Sequence, residues 1–104
     1  MKPPGLTPEE LALITGVFRR HPEVCMAKLF GSRAKGTHSV RSDVDLVVWG
    51  AVDPLRAEAI AAELDELPLP YRFEVQAFDH IAHLELREHI ERVGIYVYPE
   101  RKFG

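Results

Sequence analysis

Two aspartates stand one residue apart at the start of an apolar run, and this spacing is the strongest chemical signal in the sequence. The run begins Asp43-Val44-Asp45 and continues as Leu-Val-Val-Trp, which predicts a strand from Asp43 to Trp49. Because strand side chains alternate between faces, both carboxylates are expected on one side. At about 4 Å and an effective dielectric of about 20 they repel by roughly 4 kcal/mol. Mg²⁺ or Mn²⁺ offsets this repulsion and leaves both groups ionised; the alternative is a solvated strand end without a ligand.

A glycine-serine turn lies ten residues before the first of these aspartates. Gly31 and Ser32 follow a short apolar segment, and backbone N–H groups together with a hydroxyl at such a turn can face an anion. The basic residues Arg33, Lys35 and Arg41 add positive charge to the same loop. Phosphate-binding groups beside metal-binding carboxylates are the layout that phosphoryl or nucleotidyl transfer requires.

Two other motifs are suggested by this stretch and excluded by its details. Gly31 and Gly36 have the spacing of the nucleotide-binding loop G-x-x-x-x-G-K-[ST], but Thr37 stands where the phosphate-binding lysine belongs. A calcium loop starting at Asp43 needs oxygen ligands and a glycine at fixed later positions, and apolar residues 46–48 fall there instead. Three histidines on the last predicted helix lack zinc-site spacing and are expected at the surface.

The elements that position these residues alternate between helix and strand. In order, the sequence predicts a helix over 8–20, a strand over 24–30, one helical turn over 32–36, a strand over 43–49, a helix opened by Asp53 and ending near Leu67, a strand over 72–78, a helix from Asp79 to about Val93, and a strand over 95–98. This order predicts an α/β fold in which a small mixed sheet is flanked by helices.

Particular side chains carry finer expectations. Residues Thr7–Glu10 form a capping box with proline at the first helical position, and Leu6 and Leu11 are placed as a hydrophobic staple. Cys25 has apolar neighbours, which predicts a buried thiol. In the helix opened by Asp53, the residues Leu55, Ile60, Leu64 and Leu67 fall near helical spacing.

Composition sets the broad class of the protein. The chain has 104 residues, 46% of them hydrophobic and 28% charged, which predicts one globular domain spanning residues 1–104. The N-terminus is proline-rich and acidic and the apolar runs are short, so a cytoplasmic protein with no membrane interaction is expected. One cysteine permits no internal disulfide. A net charge of −3 argues against direct nucleic-acid binding.

The glycine-serine turn and the paired aspartates together resemble a known signature. Gly31-Ser32, ten intervening residues and then Asp43-Val44-Asp45-Leu46 resemble the G-S…D-x-D signature of the polymerase β nucleotidyltransferase superfamily. The longer string GSRAKG…SDVDL resembles more narrowly its minimal nucleotidyltransferase (MNT) branch, the MntA-like antitoxins of HEPN/MNT toxin–antitoxin systems. The match is specific over 30–48, and it implies the nucleotidyltransferase fold.

The resemblance also implies a role for each matching residue. Gly31, Ser32 and Arg33 bind the nucleotide phosphates, and Asp43 and Asp45 hold the metal ions. A third acid on a later strand completes the metal site and acts as base. The family usually has aspartate there, whereas the matching segment 72–76 supplies Glu74. Glu74 is chosen over Asp79, which is predicted to be a helix cap.

The function implied by the resemblance is the transfer of AMP from ATP, with Mg²⁺ or Mn²⁺, to a hydroxyl of a protein partner. That partner is a small helical HEPN-type toxin encoded nearby, modified on a tyrosine within a hetero-oligomer. The alternative is an MNT-fold antitoxin with a weak or inactive site that neutralises its HEPN partner by binding and occlusion. Transfer to a small molecule is less expected for a chain of this size.

Overall fold

Three α-helices and four strands make up the structure, a computed structural model that describes residues 6–30 and 43–99. The elements are α1 (Pro8–Arg19), β1 (Val24–Phe30), β2 (Val44–Gly50), α2 (Pro54–Asp65), β3 (Phe73–Ala77), a 3₁₀ turn (Phe78–His80), α3 (Leu84–Val93) and β4 (Ile95–Tyr98). The predicted α/β class with a mixed sheet and flanking helices is therefore confirmed. The predicted helical turn over 32–36 lies outside the described residues. Within the described residues, no helix is both long and apolar enough to span a membrane.

The four strands form one sheet in the order β3-β2-β1-β4. β1 is antiparallel to both β2 and β4, whereas β2 and β3 run parallel. The parallel pair is joined through α2, as a crossover connection requires. This order puts β2, with its aspartates, between β1 and β3, so residues from three strands can meet around it.

The two faces of the sheet bury separate apolar clusters. On one face the main cluster joins α1 and α2 to the sheet, and its members include Ile14, Phe18, Leu29, Val44, Leu46, Val48, Ile60 and Leu64. On the opposite face a smaller cluster contains Val47, Phe78, Ile81 and Ile90, with α3 packed over it. Because β2 is buried on both faces, any polar side chain along its length needs a specific reason to be there.

The start of α1 is built as the sequence predicts. The Thr7 side chain accepts a hydrogen bond from the Glu10 backbone N–H, and the Glu10 carboxylate accepts one from the Thr7 backbone N–H. Leu6 is buried, and Leu11 packs against the main cluster from a half-buried position. The capping box and the burial expected of the staple residues are both confirmed.

The prediction that Asp79 opens a helix is wrong. Phe78 and Ile81 are both buried in the smaller cluster, so the chain passes through the 3₁₀ turn and an extended stretch before it can become helical. The helix begins at Leu84, and its cap is His83, whose Nδ1 accepts a hydrogen bond from the Leu86 N–H at 3.2 Å. Asp79 is an exposed residue of the 3₁₀ turn.

The predicted burial of Cys25 is also wrong. Cys25 is exposed because the strand pairing slips between Val24 and Met26, and the bulge turns the intervening side chain away from the core. Leu55 is 75% exposed. It lies in the first turn of α2. The buried residues of this helix are Ala57, Ile60 and Leu64.

Candidate functional site

Two of the predicted catalytic acids meet on neighbouring strands. Asp45 on β2 is the register partner of Glu74 on the parallel strand β3, so the two side chains share a face. Glu74 is exposed and Asp45 is half-buried. Asp43 lies one residue before β2 begins, on the same side as Asp45, and it is exposed. The structure therefore brings together a carboxylate pair with a third carboxylate close by.

The electrostatics of Asp45 reflect this crowding. Partial burial is the largest cause that raises its pKa, from the ordinary 3.8 to about 6. A hydrogen bond with Glu74, the charge of Glu74 and the charge of Asp43 are the smaller causes of the same rise in pKa. Without a cation, Asp45 therefore keeps its proton in mildly acidic solution, up to about pH 6.

The strand that precedes the predicted phosphate-binding residues ends beside these acids. Phe30, the last residue of β1, is the register partner of Asp45 on the antiparallel strand β2. The next residues in the sequence are Gly31, Ser32 and Arg33, which lie outside the described residues. β1 and β3 therefore flank Asp45. β1 ends immediately before the predicted phosphate-binding residues, and β3 carries Glu74.

The carboxylates fit a divalent metal ion by their chemistry. Hard oxygen ligands suit Mg²⁺ or Mn²⁺, and a cation relieves the repulsion that raises the Asp45 pKa. Within residues 6–30 and 43–99, however, no group of three or more histidine, cysteine, aspartate or glutamate side chains is arranged to hold a metal ion. Asp45 and Glu74 are paired, and Asp43 influences them by its charge from just outside the strand.

Sequence reasoning missed Asp65, which holds the start of β3 immediately before Glu74. The Oδ1 atom of Asp65, the last residue of α2, accepts a hydrogen bond from the Phe73 N–H at 3.0 Å. This contact satisfies an outward-facing amide at the start of β3 and fixes the residue immediately before Glu74. No motif links Asp65 to Glu74 in the sequence, because the connection runs through a backbone amide.

Aromatic side chains pack on the sheet face that also carries the acids. Trp49 stacks on Phe78 with ring centroids 4.5 Å apart, which places it at the rim of the smaller cluster. The Lys28 ammonium lies 5.7 Å from the centroid of the Trp49 ring, and the Arg87 guanidinium lies 4.7 Å from that of Phe78. Cation–π contacts of this kind stabilise partly buried surfaces. Here the Arg87–Phe78 contact joins α3 to the 3₁₀ turn.

Comparison with protein families identifies this fold. The family described as "Polymerase beta, Nucleotidyltransferase" matches residues 13–102, which covers the sheet and all three helices apart from the first turns of α1. The chain belongs to the polymerase β nucleotidyltransferase family. Among curated proteins, none matches the chain significantly.

Solved structures of similar fold come from toxin–antitoxin complexes. One is a toxin–antitoxin with AMP-PNP, with a TM-score of 0.74 and 21% identity over 88% of this chain and 74% of that chain. An MntA–HepT complex has a TM-score of 0.69 and 18% identity, covering 90% and 74% of the respective chains. A tri-AMPylated HEPN toxin from Shewanella oneidensis in complex with MNT antitoxin gives 0.68 and 18%, covering 88% and 71%. At these identities the likeness establishes the nucleotidyltransferase fold.

Proposed function

We propose that this chain is a Mg²⁺-dependent nucleotidyltransferase. It moves AMP from ATP to a tyrosine hydroxyl of a HEPN-type protein partner. The observation that carries the proposal is the pairing of Asp45 with Glu74 on adjacent strands. Family membership supports the reaction class. Neighbours of similar fold include a complex with AMP-PNP and one containing an AMPylated HEPN toxin, which supports the nucleotide and the acceptor.

The reaction forms one bond to phosphorus and breaks another, and one proton is transferred. The acceptor oxygen attacks the α-phosphorus of ATP, the bond between the α-phosphorus and its bridging oxygen breaks, and pyrophosphate leaves. Glu74 takes the proton of the attacking hydroxyl, because it is the exposed member of the pair and can reach an incoming acceptor. Asp45 is held beside it by the strand register.

Asp43, Asp45 and Glu74 are the residues that would hold Mg²⁺ or Mn²⁺. A bound cation supplies charge neutralisation at the phosphates. Gly31, Ser32 and Arg33 remain the proposed phosphate-binding residues, on the loop that follows Phe30. With these groups in place, most of the rate enhancement comes from positioning and electrostatic stabilisation rather than from covalent chemistry.

Position-specific labelling tests the reaction class. The purified chain is incubated with its HEPN-type partner, Mg²⁺ and ATP carrying a label on either the α- or the γ-phosphate. Nucleotidyl transfer puts the α-label on the partner and leaves the γ-label in pyrophosphate. Incorporation of the γ-label alone would show phosphoryl transfer and contradict the proposal.

Occlusion of the partner is the second candidate function. It is favoured by one observation, that Glu74 stands where the resemblance implies an aspartate. A thermal-stability measurement with ATP and Mg²⁺ separates the two candidates, because a ligand at a hundred times its dissociation constant stabilises a protein by about 2.7 kcal/mol. No stabilisation by ATP, combined with tight binding of the partner, supports occlusion.

A further inference from the structure

Arg72 is a basic residue that the sheet places beside the acids. The first register pair of the parallel strands is Val44 with Phe73. Asp43 and Arg72 each come one position earlier and therefore lie opposite each other. The Val44 N–H donates to the Arg72 carbonyl at 2.8 Å, which extends the pairing to this position. By alternation, the Arg72 side chain lies on the same face as that of Glu74.

The backbone around Arg72 is fixed, whereas its side chain is exposed. Its carbonyl is bound by β2, and the next amide, that of Phe73, is bound by Asp65. Among residues 6–30 and 43–99, no hydrogen bond or ion pair joins the Arg72 guanidinium to another residue. Every cause that shifts the pKa of Asp45 raises it, so no described cation neutralises that acid. The strand pairing thus holds an unpaired guanidinium on the face that carries the acids.

A guanidinium in this position is suited to a phosphate group. Arginine binds phosphate through two parallel N–H donors, and it stays charged at any pH at which the protein is folded. The carboxylates repel a phosphate, and a bound cation offsets this repulsion. Arg72 adds attraction at the rim and leaves the carboxylate oxygens open to the metal ion, since it forms no ion pair with Asp43, Asp45 or Glu74.

We infer that Arg72 binds a phosphate group on the face that carries the acids. This inference rests on the proposed function, which supplies two carriers of that group. One is the triphosphate of ATP, and the other is the phosphodiester of an AMP unit already joined to the partner. Arg72 precedes the proposed base Glu74 on β3, whereas Gly31-Ser32-Arg33 follow β1, so the two sets of phosphate-binding groups come from strands on either side of Asp45.

A set of three variants tests the role of the guanidinium. Arg72→Gln removes the charge and keeps both backbone hydrogen bonds, so its melting temperature should match that of the native chain. Arg72→Lys keeps the charge but loses the paired donors. Arg20→Gln is the control for loss of one positive charge. Arg20 is the C-cap of α1, its side chain is 62% exposed, and its ion pair with Glu63 spans 3.6 Å; α1 packs on the face opposite the acids.

The two carriers are distinguished by two measurements on each variant. Calorimetric titration with Mg²⁺ and α,β-methylene-ATP, which cannot release pyrophosphate, measures binding of the triphosphate without turnover. We expect Arg72→Gln to weaken this binding about tenfold, Arg72→Lys to weaken it less, and Arg20→Gln to stay within about twofold of the native chain. The intact mass of the HEPN-type partner counts the AMP units added. Unchanged analogue affinity with addition that stops after the first AMP assigns the bound phosphate to the AMP already on the partner.

The remaining outcomes separate this inference from the proposed function. If Arg72→Gln matches Arg20→Gln both in analogue affinity and in the number of AMP units added, the inference is overturned and the proposed function stands. Binding of the analogue that depends on Arg72 without any AMP transfer supports the inference and counts against the proposed function. A native chain that neither binds the analogue nor transfers AMP overturns both.

Discussion

At the scale of single residues, the position of Asp45 beside Glu74 opposes folding when the carboxyl group is charged. Asp45 is half-buried on a strand whose neighbouring positions are fully buried, and it faces Glu74 across the register. Uncompensated like charges in such a place oppose folding. A residue kept at a cost in stability indicates a functional role, and here the role is to bind the metal–nucleotide complex that we propose.

Asp45→Asn should therefore stabilise the protein without nucleotide or metal. The pKa of Asp45 is raised in the folded state, so the folded chain binds this proton more tightly than the unfolded chain does. Stability then falls as the pH rises from about 4 to about 6, and the full penalty persists above pH 6. The variant lacks this penalty, so its melting temperature should exceed that of the native chain at pH 8.

Thermal unfolding in EDTA from pH 4 to pH 8 measures this difference. The gap between variant and native chain should shrink toward pH 4. Asp79→Asn, at an exposed acid of the 3₁₀ turn, is the control for a simple change of net charge. A melting temperature for Asp45→Asn below the native value at pH 8 would contradict the electrostatic explanation.

Two glycines should respond to alanine in opposite directions. Gly50 ends β2 with φ +130, and a Cβ there would lie 2.0 Å from the Glu23 carbonyl oxygen, so Gly50→Ala should cost more than about 2 kcal/mol. Gly16 lies inside α1, and a Cβ added there would meet no atom within 4 Å. Gly16→Ala should therefore stabilise the protein by about 0.5–1 kcal/mol.

Urea denaturation of the two alanine variants checks both signs in one experiment. Equal and small changes at both positions would show that the close approach of Gly50 to Glu23 contributes little.

At the scale of elements, β3 depends on a contact from α2. The hydrogen bond from the Phe73 N–H to Asp65 fixes the start of the strand, and the next residue is Glu74. The strand has only five residues, and among residues 6–30 and 43–99 it pairs with a single neighbour, β2. Loss of the Asp65 acceptor should consequently affect both stability and the position of Glu74.

Asp65→Ala is expected to lower stability by about 1 kcal/mol, the ordinary value of such a hydrogen bond. It should also slow AMP transfer, because Glu74 loses its fixed position. Asp65→Asn keeps an oxygen acceptor and is the matched control. Chemical denaturation and transfer rates measured on both variants distinguish the cases. Equal losses in Asp65→Ala and Asp65→Asn would point to the negative charge rather than to the hydrogen bond.

The elements could largely be predicted from local signals in the sequence. Caps and prolines predicted the starts of α1 and α2, and alternation predicted the strands. The start of α3 could not be predicted, because burial of Phe78 and Ile81 is a tertiary effect that outweighs a good capping residue at Asp79. The exposure of Cys25 depends on a bulge, which shifts the alternation on which the prediction relied.

At the scale of the whole molecule, some features of the candidate site could be predicted from the sequence and others could not. The D-x-D pair and the family resemblance predicted three acids, and the strand register shows that Asp45 and Glu74 meet. The sheet order that makes them neighbours could not be read from residue spacing. The position of β3 at the end of the described strand order could not be predicted either, because it depends on which strands pair. One domain over residues 1–104 and a cytoplasmic location remain predictions.

The most direct test of the central claim is the intact mass of the HEPN-type partner. The partner is co-expressed with the native chain and, separately, with Asp43→Asn, which removes one proposed metal-binding carboxylate at an exposed position. We predict mass increases of one or more AMP units with the native chain and none with the variant, which should remain folded. An unmodified partner that still binds the native chain tightly would contradict nucleotidyl transfer and leave occlusion as the function.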